Sequence, residues 1–160
     1  MLAVLVRSLA AGGRPVAVVG GSLDLTVVTA DARGSVHALS TGEVEALVAL
    51  LHRHQDLAVV VDDAERLVGT TLEPVLREIS RLVDEDDGVV VAATSPTGVA
   101  TQPRGWHTEL ARARNGVLLW PTSSDGDLLG IRFGRPGERL PGRGLLVTAG
   151  ESRSIQVAHV

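Results

Sequence analysis

Residues 57–67 read LAVVVDDAERL. Leu57 to Val61 are apolar without interruption, and Asp62 and Asp63 follow at once. A strand with one wet face alternates polar and apolar residues. An unbroken, largely β-branched run ended by turn chemistry is instead the pattern of a strand covered on both faces. PVAVVG (15–20), LTVVTA (25–30), VVVAAT (89–94) and GVLLWP (116–121) have the same character. Segments of helical period separate several of them, so the expected fold is α/β with a mostly parallel sheet covered by helices. Ligands of such sheets bind at the carboxyl ends of the strands. Asp62, Asp63, Thr94 and Ser95 all fall at such ends.

The helices can be placed from spacing and caps. Leu2, Leu5, Val6 and Leu9 recur at helical intervals until Gly12-Gly13 stops them. Ser40 with Glu43, and Thr70 with Glu73, have capping-box spacing and open helices reaching about His54 and Leu82. In the second of these, Leu72, Val75, Leu76, Ile79 and Leu82 form one apolar stripe, and Glu73 can pair with Arg77 on the outside. Residues 31–39 and 95–105 read as irregular, 84–88 as a solvated turn, and about 106–114 as a short helix. IRF (131–133), GLLVTA (144–149) and SIQVAHV (154–160), separated by Gly and Pro, read as antiparallel strands.

Composition narrows the chemistry. At 160 residues one domain is the default, and 44% apolar residues suffice for a core. Aromatics are only 2% and the net charge is −4, which disfavours a base-stacking or basic nucleic-acid surface. There is no Cys, hence no thiolate metal site or disulfide. All 15 basic residues are Arg, so no lysine-bearing phosphate loop, Schiff base or phospho-receiver site arises within the chain. The opening MLAVLVRSLAAGG lacks the basic region of a signal peptide, and no apolar run is long enough to span a bilayer, so a cytoplasmic location is expected.

An apolar strand ending in two acids has the form of a Walker B element, in which one acid holds Mg²⁺ and the next orients the attacking water. Two acids before a helix N-terminus, where negative charge is favoured, give the same string. Thr94-Ser95 suit a γ-phosphate sensor, and Arg112 or Arg114 suits an arginine finger, although solvated hydroxyls and arginines are commoner. His52 and His54, two apart on a helix, do not face each other, and no G-x-S-x-G elbow occurs.

VVVDDAERL, GWHTELARARNGVLLWP, DGDLLGIRFGR and LPGRGLLVTAG with IQVA, in that order, resemble the FtsK/SpoIIIE-type motor ATPases. The resemblance is to the actinobacterial branch that includes the EccC proteins of type VII secretion. It covers residues 57–158, with a fainter match for LAVLVRSLAAGGRPVAVVG before them. It implies a P-loop NTPase (RecA/FtsK-like) core over residues 1–122 and a C-terminal β extension over 123–160, together one partial module. It further implies ATP and Mg²⁺ as cofactors, Asp62 as metal ligand, Asp63 as water-orienting acid, Thr94 as sensor, and Arg112 or Arg114 as the finger. Ring subunits, other ATPase modules and secreted protein substrates are the implied partners, with DNA less favoured, and membrane association would come through a larger complex.

The family's Walker A loop has no counterpart here, and Asp63 stands where active members commonly carry Glu. The expected function is therefore a truncated or degenerate ATPase module that is not an ATPase by itself. Two alternatives stand beside it: a non-catalytic domain that docks secreted substrates or ring subunits, and a fragment without independent function. The Walker A strand would lie between those at 89–94 and 116–120. Its loss predicts either a marginal chain or direct closure of 116–120 onto 89–94.

Overall fold

The structure, a computed structural model, describes residues 1–20, 33–82, 88–122, 124–133 and 140–157. The expected strand at 25–30, most of the turn at 84–88 and the end of the last strand, 158–160, lie outside them. The chain forms two compact units, Leu2–His107 and Thr108–Val160, the second with Met1.

The first unit holds a parallel sheet in the order β2-β1-β3-β4, comprising β1 (Val16–Val19), β2 (Val36–Leu39), β3 (Ala58–Val61) and β4 (Val89–Ala92). Every residue of the inner strands β1 and β3 is buried, as their unbroken apolar runs require. Helix α1 (Leu2–Ala11) covers one face, its Val6 and Ala10 packing with Val16, Val18, Ala58 and Val60. Helix α2 (Val44–Arg53) buries Leu47 and Leu50, and α3 (Glu73–Leu82) buries Leu76. The Glu73–Arg77 pair forms at 2.8 Å.

The caps differ in detail from their sequence reading. Glu43 accepts from the Ser40 N–H at 2.6 Å, but its helix starts at Val44, after a turn. Glu73 accepts from Gly69 rather than Thr70, while the Thr70 hydroxyl turns back to the Leu67 carbonyl.

Three expectations about the elements of this unit are corrected. Residues 36–39 form the edge strand β2, although His37 and polar neighbours hide its period. Residues 96–101 form a helix, α4 (Pro96–Thr101), started by the Ser95 side chain accepting from Gly98 N–H and by proline in the first turn. Strand β4 is half-buried where full burial was expected, and among the described residues it has one ladder partner, β3.

The second unit contains β5 (Gly116–Leu119), β6 (Arg143–Thr148) and β7 (Glu151–Gln156) in an antiparallel sheet. Helix α5 (His107–Arg112) runs across the boundary between the units. Positive φ at Ala149 and Gly150 makes the β6–β7 connection a two-residue turn of the primed kind, whose twist suits the flanking strands. IRF is not a strand: Ile131 and Phe133 pack with Leu129, Val147, Leu118 and Leu145 after a 3₁₀ turn at Asp125–Leu129. Among the described residues β4 pairs with β3 and β5 with β6, so no ladder joins 116–120 to 89–94. Among the described residues no helix is long and apolar enough to cross a membrane.

Candidate functional site

Register alone assembles the carboxyl end of the parallel sheet. Val19 pairs with Val61, and Val61 with Ala92, so the residues that follow these strands emerge side by side. The Asp62 N–H donates to Val19 O at 2.9 Å, and the Ala93 N–H to Val61 O at 2.8 Å. Gly20, at φ +103°, follows β1 here, and a Cβ on it would lie 2.6 Å from the Asp62 carbonyl oxygen. Glycine is thus required both by its backbone angle and by the approach of the acid-bearing turn.

Asp62 is half-buried, and its carboxylate accepts from the Asp63 N–H at 3.1 Å. Asp63 then turns left-handed (φ 50°, ψ 50°), a conformation an aspartate tolerates better than most residues. Its carboxylate meets Arg66 at 3.4 Å, with both side chains largely in solvent, so the pair contributes little stability. The two adjacent acids are therefore not equivalent. One is folded back on the turn at the sheet's end, and the other is directed to a surface arginine.

A 3₁₀ turn, Ala64–Leu67, follows, and it carries a group that the sequence reading passed over. The Glu65 carboxylate accepts from the Thr94 hydroxyl at 2.7 Å, from the Ser95 hydroxyl at 2.9 Å and from the Ser95 N–H at 3.3 Å. Partial burial works to raise its pKa, but the hydrogen bonds from Thr94, its own backbone and Ser95 outweigh that and hold it below the ordinary glutamate value. The turn is also anchored from beneath. Ala64 N–H donates to Ala93 O at 2.9 Å, and the indole N–H of fully buried Trp106 donates to Ala64 O at 3.3 Å.

The segment that carries Trp106 is held to α3. Arg77 donates to the Arg104 carbonyl at 2.9 Å, and Glu73 takes a bond from the Trp106 backbone. For Glu73, partial burial opposes ionisation, but the Gly69 N–H, Arg77 and Trp106 hold its pKa below the usual value. His107 beside it is only 4% exposed, and neither ring nitrogen has a hydrogen-bond partner among the described residues. Burial pushes its pKa down, against the opposing pull of Glu65 and Glu73 and in line with the repulsion from Arg77.

The arginines belong to the second unit and are described within it. Arg112 is ion-paired with Glu109 and largely exposed. Arg114, at φ 53°, donates to the carbonyls of Gly130 at 2.7 Å and Leu129 at 3.3 Å.

Among the described residues no three His or acidic side chains cluster as a metal site. Mg²⁺ does not need such a cluster when phosphate and water complete its shell, so the half-buried Asp62 carboxylate fits that ion. The chain contains no Lys, so any grip of this chain on a phosphate would fall to arginine or to backbone N–H groups.

No family model matches the chain, and no curated protein does. Solved structures do match. Thermomonospora curvata EccC (ATPases 2 and 3) in complex with a signal sequence peptide superposes over 99% of this chain with a TM-score of 0.68 at 21% identity. The cytoplasmic domain of EssC covers 89% with 0.64 at 17%, and a protein described as an ATPase covers 92% with 0.59 at 19%. The chain shares the fold of these structures over that length. It spans about a third of the EccC and EssC chains, 34% and 33%. Both sheet types expected from the sequence are present, but the antiparallel one takes in β5, read from the sequence as part of the parallel core, and not IRF.

Proposed function

We propose that this chain is one partial FtsK/SpoIIIE-type ATPase module from a type VII secretion motor, and that it does not hydrolyse ATP by itself. The observation that carries the reading is the row Asp62, Asp63, Thr94 at the carboxyl ends of adjacent parallel strands, in a chain that superposes over 99% of its length on EccC. On this reading Asp62 holds Mg²⁺, which when bound neutralises charge on the β- and γ-phosphates. Asp63 orients water, at a reach one methylene shorter than Glu, and Thr94 senses the γ-phosphate. Of the two arginines, Arg112 is the one whose guanidinium is directed outward enough to serve a neighbouring ring subunit, since Arg114 braces carbonyls of its own unit. β4 has a ladder partner on one side only among the described residues, and the strand bearing the phosphate loop would join its other side. The module would work in the cytoplasm, within a larger membrane-associated complex.

The test is the intact mass of the endogenous protein, followed by Mg²⁺–ATP titration of that product and of its Asp62→Asn variant. A product much larger than 16.7 kDa that binds Mg²⁺–ATP and loses the Mg²⁺ dependence on substitution is expected. A longer product whose Mg²⁺–ATP binding is unchanged by Asp62→Asn, or a product of 16.7 kDa that hydrolyses ATP, overturns the reading.

A second reading, a non-catalytic docking domain, is favoured by one feature of the second unit. Leu119, Trp120 and Leu140 are 41%, 50% and 41% exposed, and the Trp120 indole donates to Leu140 O at 2.6 Å, which keeps them together. An apolar segment of a secreted substrate would occupy this patch, as the signal sequence peptide in the EccC complex suggests. Peptide binding weakened by Trp120→Ser and indifferent to Asp62→Ala would favour docking over the motor.

A further inference from the structure

The Thr94 hydroxyl has a single proton to donate. A residue that senses phosphate must present that proton to an anionic oxygen. In this structure the nearest acceptor is Glu65 at 2.7 Å, while the alternative, the Ser95 carbonyl, lies at 3.3 Å. The same carboxylate takes the Ser95 hydroxyl and its N–H. The fit is close on the other side as well, since a Cβ on Gly98 would come within 2.7 Å of the Glu65 carboxyl carbon. Glu65 is therefore packed in place as well as hydrogen-bonded.

We propose that Glu65 is a positioning residue that holds the Thr94 proton away from any anion at the strand ends. An incoming phosphate oxygen and the Glu65 carboxylate compete for one donor and also repel each other as like charges. Anion engagement therefore requires Glu65 to swing away, and the pair acts as a catch between the turn after β3 and the end of β4. The sensing half of this inference rests on the reading of Thr94 given under Proposed function. The competition itself needs only the geometry.

The experiment titrates the 160-residue chain with two probes, inorganic phosphate and Mg²⁺–ATP, in wild type, Glu65→Gln, Glu65→Ala, Thr94→Val and the Glu65→Ala/Thr94→Val pair. Removing a charge-assisted competitor is expected to tighten anion binding about tenfold in Glu65→Ala, and less in the near-isosteric Glu65→Gln. The gain should vanish in the Thr94→Val background, because the two side chains act through one proton. Carbon-13 NMR of the Glu65 carboxyl supplies a ligand-free readout. Its titration midpoint should lie below the ordinary glutamate value in wild type and move up towards it in Thr94→Val. Phosphate binding that rises in Glu65→Ala without any preference for Mg²⁺–ATP supports the catch and counts against the nucleotide reading. Measurable Mg²⁺–ATP binding that is equal in wild type and Glu65→Ala, with phosphate binding equal as well, overturns the catch and leaves the nucleotide reading standing. No gain with either probe in either Glu65 variant overturns the catch.

Discussion

Replacing Trp106 with Phe tests whether the acid-bearing turn is held from beneath. The indole is fully buried, and its N–H satisfies the carbonyl of Ala64, which is itself in a fully buried residue. Phenylalanine keeps one ring and removes both the donor and the volume of the second ring. An unpaired buried carbonyl costs about 1–2 kcal/mol. The void of a few tens of Å³ adds about 1 kcal/mol. The expected loss is about 2–3 kcal/mol, which moves a urea midpoint by about 1–2 M at the slopes usual for small domains.

Trp120→Phe is the control. Its indole makes the same kind of bond, to Leu140 O at 2.6 Å, but the residue is half exposed, so water replaces the donor and the loss should stay under about 1 kcal/mol. Far-UV circular dichroism in urea gives the midpoint, and hydrogen exchange at the Asp62 amide, bonded to Val19 O, assigns the loss to the Leu2–His107 unit. Equal losses in the two variants, or under 0.5 kcal/mol for Trp106→Phe, would refute the buried-anchor argument.

Burial lowers the His107 pKa, so on acidification through about 6.5 the unfolded chain takes up a proton that the folded chain refuses. Stability should therefore fall as pH drops below about 6.5, by up to about 1.4 kcal/mol per pH unit. His107→Phe should flatten urea midpoints between pH 7 and 5. The lowered Glu65 and Glu73 act in a separate window, giving stability that is present above their ordinary range and lost below about pH 4.5. Leu76→Ala empties the fully buried centre of α3 and should cost about 3 kcal/mol in the same urea assay, whereas a cost under 1 would mean the helix is not seated there. Asp63 sits at φ 50°, so Asp63→Gly should be neutral or stabilising by up to about 1 kcal/mol, and Asp63→Val destabilising by about 1–2, read as shifts in thermal midpoint.

The sequence disclosed what period and burial control. β1, β3 and α1 follow from unbroken or 3.6-spaced apolar residues, and the Glu73–Arg77 pair follows from its i, i+4 spacing. β2 was hidden because an edge strand pays little for polar residues such as His37. α4 was hidden because Pro96 and Gly98 suggest a loop, although Ser95-Pro96 is also a helix start. At the site, Asp62, Asp63, Thr94 and Ser95 were legible because a parallel sheet brings its strand ends together. Glu65 was not. Its partners lie 29 and 30 residues away, and no local spacing reports which side chain will bridge a tertiary gap.

The order β2-β1-β3-β4 also fixes an order in time. β1 is an inner strand, yet both its neighbours are synthesised after it, β2 beginning at Val36 and β3 at Ala58. Parallel pairing waits for a crossover, so the nascent VAVV segment has no ladder partner when it is made. The β6–β7 pair, joined by a two-residue turn, can zip in microseconds. Among the described residues, the element that precedes β1 and packs on it is α1, which places Val6 and Ala10 over Val16 and Val18. A helix made before the strand it covers can shelter that strand's apolar residues until its ladder partners emerge, so weakening α1 is expected to lower the soluble yield of the newly made chain more than it alters the finished fold.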